Sequence, residues 1–383
     1  MEKLKVMTVF GTRPEAIKMA PLVKVLEQRE EIESVVCVTA QHRQMLDQVM
    51  DIFNIRADFD LDIMKSGQTL SDITARVMKG IEETIKAARP DIVLVHGDTT
   101  TTFAGALASF YCQTKIGHVE AGLRTYDKYS PFPEEMNRCL TTYLADLYFA
   151  PTINNENNLL KENVNPSDIY VTGNTVIDAI KHTVQPNYVF HDDTLKQIDF
   201  DNKRVILVTA HRRENLGEPL QNICRAILNA ANAAEDVEVV YPVHLNPLVR
   251  NTANEILGNH SRIHLIDPLD VTELHNLMDR CYMVMTDSGG LQEEAPSLGK
   301  PVLVLRNETE RPEAVTAGTV KIAGVDENHI TDLAKTLLFD KTEYEKMSKA
   351  VNPYGDGLAS ERIADAILYA FGRKAEKPSN FSY

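Results

Sequence analysis

Short apolar runs alternate with helix-length amphipathic segments along almost the whole chain, and the alternation occurs twice. In the first half the runs fall at 5–10, 35–40, 92–96 and 116–121, with a further one ending at Ala150. Helical patterns lie between them at 16–29, 44–53, 71–88, 102–112 and 134–144. A last helix and strand lead to Thr172-Gly173-Asn174, and 183–203 is polar and aperiodic. The rhythm then restarts, with strands at 205–210, 237–243, 263–266, 282–285 and 302–305 and helices at 220–231, 248–257, 271–279 and 291–298. Strands that are apolar nearly throughout belong to parallel sheets covered on both faces. The spacing therefore predicts an α/β protein of two Rossmann-like domains, residues 1–173 and 174–358. The break at 352–357 and the helix at 359–371 predict that 359–383 returns to complete the first domain. The polar tail after Gly372 is expected to fray.

In such sheets ligands bind outside the carboxyl ends of the strands. Polar residues collect there: Arg13 and Lys18, Gln41-His42, His96-Gly97-Asp98, His118-Val119-Glu120, His211-Arg212-Arg213-Glu214-Asn215, and His244. The strongest single stretch is Thr286-Asp287-Ser288-Gly289-Gly290, followed by Glu294 in the next helix and Arg306 and Arg311 beyond the next strand. Two glycines admit a ligand close to the backbone, and the open N–H groups of a helix start favour an anion. A carboxylate one turn in is placed to accept from ribose hydroxyls. Together they predict a nucleotide-diphosphate site. The first turn has no GxGxxG and there is no Walker A sequence, so nicotinamide, flavin and P-loop chemistry gain no support.

Several of these residues also have plain explanations. Lys18 is better read as a solvated charge, and Asp98 equally well as the N-cap of the helix that follows or as both cap and catalytic group. Glu134 and Arg138, four apart, suit an intrahelical salt bridge; the prolines at 131 and 133 aim that helix. Glu120, between an apolar strand and Ala121-Gly122, has fewer alternatives. His42, His96, His118 and His244 read as core or supporting groups, whereas His211 sits beside a basic turn. No His/Asp/Glu spacing suggests a metal cage, and the five scattered cysteines read as reduced thiols. A net charge of −15 argues against nucleic acid and anionic membrane as partners. No run approaches the roughly 20 apolar residues of a membrane span, nor is there a signal peptide, so a cytoplasmic protein is expected.

Six motifs occur in order: Gly11-Thr12-Arg13-Pro14-Glu15, His96-Gly97-Asp98-Thr99-Thr100-Thr101, His118-Val119-Glu120-Ala121-Gly122-Leu123-Arg124, Pro133-Glu134-Glu135-Met136-Asn137-Arg138, His211-Arg212-Arg213-Glu214-Asn215, and 287–296. With these the chain resembles the non-hydrolysing bacterial UDP-N-acetylglucosamine 2-epimerases over nearly its whole length. The resemblance implies a glycosyltransferase-B-like fold with the active site in the inter-domain cleft. It implies reversible conversion of UDP-N-acetylglucosamine (UDP-GlcNAc) to UDP-N-acetylmannosamine (UDP-ManNAc). The route is elimination of UDP to 2-acetamidoglucal and re-addition, with no redox cofactor, in a homodimer that supplies cell-surface polysaccharide. It maps the nucleotide contacts onto Arg13, Ser288, Gly289, Gly290, Glu294 and Arg311, and the sugar side onto Lys18, Asp98, Glu120, Glu134, Arg138 and His211. Leu269 is placed to pack on the base. A second, activating UDP-GlcNAc would lie on Gln41, Gln44, Arg212 and His244. Where that pattern has an arginine before Gln-Thr-Leu this chain has Gly67, so a weaker second site is expected. Which of Asp98, Glu120 and Glu134 is the base stays open.

Three rivals share much of this inventory. A retaining glycosyltransferase would need an acceptor surface, and a hydrolysing epimerase would release free N-acetylmannosamine and UDP. A UDP-sugar-binding regulator would not need carboxylates on the sugar side.

Overall fold

The computed structural model describes residues 2–40, 43–65 and 67–383, with the side chains of Gln44 and Met45 left out. It divides into two compact units: residues up to His182 together with Tyr354–Ser382, and Thr183–Pro353. In the first, strands β1 (Leu4–Phe10), β2 (Ile32–Val38), β3 (Phe59–Asp60), β4 (Ile92–His96), β5 (Lys115–Val119), β6 (Leu147–Ala150) and β7 (Ile169–Val171) form one parallel sheet. Its order is β3-β2-β1-β4-β5-β6-β7. In the second, β8 (Arg204–Thr209), β9 (Val237–Pro242), β10 (Ile263–Ile266), β11 (Met283–Thr286), β12 (Val302–Val304) and β13 (Val320–Ile322) pair in parallel in the order β10-β9-β8-β11-β12-β13. In each sheet the order reverses beside the unit's first strand, between β1 and β4 and between β8 and β11. These are the switch points where doubly wound sheets open a crevice.

Alternate side chains of one strand feed two cores, as a sheet covered on both faces requires. Along β1, Leu4, Val6 and Phe10 pack with helix Arg13–Gln28, and Met7 and Val9 pack with helices Leu70–Ala88 and Thr100–Tyr111. The C-terminal helix Ala359–Ala370 adds Ile363, Ala364, Ile367 and Leu368 to the first of these cores. Each fully buried aliphatic side chain contributes about 1.5–3 kcal/mol, enough to hold a helix that is remote in sequence.

Three features differ from the sequence pattern. Helix Thr175–Thr183 ends at the unit boundary, near residue 183 and not 173, because the buried carboxylate of Asp178 accepts from Ala359 N and Ser360 N, capping the returning helix. Asn174 N donates to Tyr354 O at 2.6 Å from the same direction. The tail does not fray: Phe381 is buried, its N–H donates to Val171 O at 2.7 Å, and Val171 N donates to Asn380 Oδ1. The tail thereby covers the exposed edge of β7, and Arg362 lies over the Phe381 ring. Between 306 and 351 the sequence pattern assigns no element, but the structure places β13 and helices Pro312–Ala317, Glu327–Phe339 and Lys341–Ser348 there. Among the described residues no helix is long and apolar enough to cross a membrane.

Candidate functional site

The first unit's switch point is built on Glu15. Helix Arg13–Gln28 starts earlier than its apolar pattern, with Thr12 as N-cap and a capping box to Glu15. The buried Glu15 carboxylate accepts from Gly11 N (3.1 Å) and Thr12 N (2.7 Å) with one oxygen, and from Thr99 Oγ1 (2.7 Å) with the other. It therefore ties the turn after β1 to the turn after β4. Arg13 opens the helix and Lys18 follows one turn later.

Lys18 is half-buried, not solvated, and its Nζ pairs with Oε2 of Glu120. Glu120 follows β5 at φ +61°, a left-handed conformation that is costly for a residue with a side chain. Gly122 fixes the chain just beyond, since a Cβ there would stand 2.3 Å from the backbone oxygen of Asn155. Asn174 Nδ2 donates to the same Glu120 oxygen at 3.2 Å, and His96 Nε2 lies 3.3 Å from it. Burial alone would raise the carboxyl's pKa. The Lys18 ammonium and His96 outweigh burial and hold it well below the usual carboxylate range. Two donors, Lys18 Nζ and Asn174 Nδ2, and the His96 ring nitrogen at 3.3 Å thus crowd Oε2 of an ionised carboxylate. His118, one strand residue away, is pushed down to about 4 by burial, and its Nε2 lies 2.8 Å from Gly97 O, so the ring is neutral and donates there.

Asp98 does not cap its helix. Thr99 does, accepting from Thr102 N, because the Asp98 carboxylate is turned to Arg138. Arg138 donates Nε (2.9 Å) and Nη2 (2.6 Å) to Asp98 Oδ2, and its Nη1 donates to Glu135 at 2.9 Å. The intrahelical ion pair of helix Glu134–Leu144 is therefore Glu135–Arg138, not Glu134–Arg138. Buried Glu135 also accepts from Thr125 N and Tyr126 N, whereas half-buried Glu134 opens the helix one turn ahead of Arg138. The peptide bonds before Pro131 and Pro133 are cis.

The second unit repeats the device with Asp287. This fully buried carboxylate accepts on Oδ2 from His211 N (2.8 Å), Arg212 N (2.8 Å) and Asn215 Nδ2 (3.0 Å), tying the turn after β8 to the turn after β11. The His211 ring stacks on His244 with centroids 5.1 Å apart, and burial lowers its pKa despite the nearby Asp287.

Ser288 is the N-cap of helix Gly289–Ser297 but makes no side-chain capping bond, so both glycines lie in the helix's first turn with their N–H groups uncapped by it. A Cβ on Gly289 would stand 3.8 Å from Nη2 of Arg311 and 3.9 Å from Nη2 of Arg212. Two guanidiniums thus flank a helix start, one of them held by an ion pair between Arg311 Nε and buried Glu293. Arg306 is engaged elsewhere, with Glu310 and Glu214. A Cβ on Gly290 would stand 3.1 Å from Glu294 Oε1, so the glycine leaves that carboxylate room. Leu269 is half-buried just before Asp270, the N-cap of helix Val271–Arg280.

The structure therefore gathers Lys18, Asp98, Glu120 and Arg138 in one unit, and His211, Arg212, His244, Ser288, Gly289, Gly290, Glu294 and Arg311 in the other. Gln41 lies outside the described residues, as does the side chain of Gln44. Arg212 stands with the two glycines and Arg311, the residues expected to hold the nucleotide. Glu15, Asn174, Asp287 and Asn215 all lie inside stretches the sequence marks out, but the sequence assigns none of them a role; their places at the strand ends were the available signal. Gly67 adopts φ +74°, where an arginine would be strained. Among the described residues no group of three or more His, Cys, Asp or Glu side chains is disposed to hold a metal ion.

Residues 24–368 match the family model described as UDP-N-acetylglucosamine 2-epimerase. The chain is 60% identical over 382 residues to the UDP-N-acetylglucosamine 2-epimerase of Bacillus subtilis, covering 100% of each. A solved UDP-N-acetylglucosamine 2-epimerase is 57% identical, with a TM-score of 0.93 and full coverage of both chains. The Neisseria meningitidis enzyme solved bound to UDP-GlcNAc is 49% identical, with a TM-score of 0.86 over 96% of this chain and 100% of that one.

Proposed function

The chain belongs to the UDP-N-acetylglucosamine 2-epimerase family, and we propose that it interconverts UDP-GlcNAc and UDP-ManNAc by eliminating and re-adding UDP. The observation that carries this is Glu120: a buried carboxylate that Lys18 and His96 keep ionised, with Asn174 also donating to it, and so in the proton-accepting form. The C2 hydrogen of the sugar sits on a carbon that no carbonyl acidifies, so its removal requires that the C1–O bond break with it. Electrons from C–H form the C1=C2 bond, and UDP departs with the C1–O pair. Re-addition delivers a proton to the other face of C2 as UDP returns to C1.

The leaving diphosphate needs fixed positive charge, and the uncapped N–H groups at Gly289 and Gly290 with Arg212 and Arg311 supply it. Glu294 is suited to ribose hydroxyls, Leu269 to the base, and Arg13 to the phosphates. On the sugar side, inversion at C2 needs proton-transfer groups for both ring faces, which Asp98, Glu120 and Glu134 provide. Lys18 and Arg138 hold Glu120 and Asp98, and neutral His211 donates to the sugar or phosphate. The reading extends to a cytoplasmic homodimer and to a second UDP-GlcNAc as activator on Gln41, Gln44, Arg212 and His244, both supported by the family pattern. Arg212 beside Gly289 adds a nucleotide role for that residue.

The test is incubation with UDP-GlcNAc alone in D₂O, followed by NMR. Both epimers should appear, with deuterium at C2 and scrambling of the bridging oxygen of UDP. Product that keeps its C2 hydrogen would overturn the elimination route, and free N-acetylmannosamine with UDP would favour a hydrolysing enzyme.

A further inference from the structure

Glu294 is held like a part of the core, although it sits one turn inside the glycine-led helix. Its Oε2 lies 3.3 Å from Nε2 of His275. His275 is 1% exposed, on helix Val271–Arg280. The opposite ring nitrogen, Nδ1, lies 2.6 Å from the hydroxyl of fully buried Thr183. The neighbouring Asn276 donates Nδ2 to Thr183 O at 2.8 Å and accepts from Gln185 N at 2.9 Å. One helix thus clamps residues 183–185 and presents an imidazole edge to Glu294.

Chemistry orders the protons along this chain. A carboxylate oxygen accepts, so across the 3.3 Å between Glu294 Oε2 and His275 the ring hydrogen belongs on Nε2. In the tautomer with its hydrogen on Nε2, Nδ1 is the acceptor and the Thr183 hydroxyl donates to it. The carboxylate is divided accordingly: Oε2 faces the histidine, and Oε1 lies where a Cβ on Gly290 would come within 3.1 Å. A carboxylate with one oxygen fixed inward and the other at an open glycine turn is oriented for a ligand hydroxyl.

We propose that His275, held by Thr183, is a positioning residue that aims Glu294 at the ribose and so sets the preference for ribonucleotide over deoxyribonucleotide. The inference rests on the reading of Glu294 as the ribose carboxylate. Its test measures by calorimetry the affinities of UDP, 2′-deoxy-UDP and 3′-deoxy-UDP. The wild type should prefer UDP to at least one deoxy analogue by on the order of tenfold or more, the value of one hydrogen bond to a charged group. His275→Gln places an amide nitrogen where Nε2 stood and should keep most of that preference. His275→Asn reaches only as far as Nδ1 and should lose it. Thr183→Val keeps the shape and removes the hydroxyl, and should weaken the preference without entering the site.

If the wild type binds all three alike, the ribose reading falls and the inference with it. If the wild type discriminates and His275→Asn does so equally, only the inference falls. Equal losses in His275→Gln and His275→Asn would mean a general structural role and would also overturn it. Should His275→Asn not fold, Thr183→Val decides: undiminished preference there refutes the chain of contacts.

Discussion

The buried carboxylate of Asp287 offers the sharpest test of how the second unit's switch point is held. Asp287→Asn keeps the size and leaves one oxygen to accept, but removes the charge and adds two N–H donors. In the native protein Oδ2 takes three donors at 2.8, 2.8 and 3.0 Å from His211 N, Arg212 N and Asn215 Nδ2. A hydrogen bond to a charged group contributes about 1.5–3 kcal/mol, against about 0.5–1.5 for a neutral one. The three contacts together should therefore lose about 3 kcal/mol. The new amide donors sharpen the loss, since among the described residues Oδ1 has no hydrogen-bond partner and His211 Nδ1 stands 3.8 Å away. Urea denaturation, followed by a probe in the second unit, should show a midpoint drop with an unchanged slope. UDP affinity, measured well below the new midpoint, should fall too, because the backbone carrying Arg212 and His211 is pinned less tightly. Unchanged stability would refute the argument that one carboxylate ties the two turns together. Lost stability with wild-type UDP affinity would refute the link from that tie to the nucleotide residues.

Three further outcomes follow from particular contacts. His118, buried with a pKa near 4, refuses a proton that the unfolded chain takes up near 6.5. Its neutral form therefore favours folding only above that range, and stability should fall as pH drops from about 6.5 toward 4, by about 2 kcal/mol between pH 6.5 and 5. His118→Gln retains a donor for Gly97 O and should flatten that part of the urea-midpoint profile; an identical profile would count against a buried neutral histidine. Gly122→Ala, at φ +90° with Asn155 O 2.3 Å from the new Cβ, should cost several kcal/mol of stability and displace Glu120; calorimetric melting and turnover both indistinguishable from wild type would contradict it. Arg311→Ala removes one of two guanidiniums flanking Gly289 and should weaken UDP binding by roughly 10–150-fold, whereas unchanged affinity by titration calorimetry would take Arg311 out of the nucleotide contacts.

The sequence by itself determined the two parallel sheets, since strand and helix periodicities are local properties that apolar spacing writes out directly. It also determined where the polar turns fall, and six motifs in order were enough to identify the family. Pairing was another matter. Lys18 and Glu120 are 102 residues apart, Asp98 and Arg138 40 apart, and His211 and Asp287 76 apart. No local pattern reports that Thr99 caps its helix so that Asp98 can take Arg138, or that Glu135 instead of Glu134 closes the ion pair beside it. Nor does spacing reveal that Arg212 stands next to Gly289, or that a polar tail is pinned by Phe381 along β7. These outcomes depend on which donor reaches a buried acceptor once the sheets have closed. That competition is settled by distance and desolvation in three dimensions, because a buried carboxylate takes whichever partners the folded backbone brings within reach.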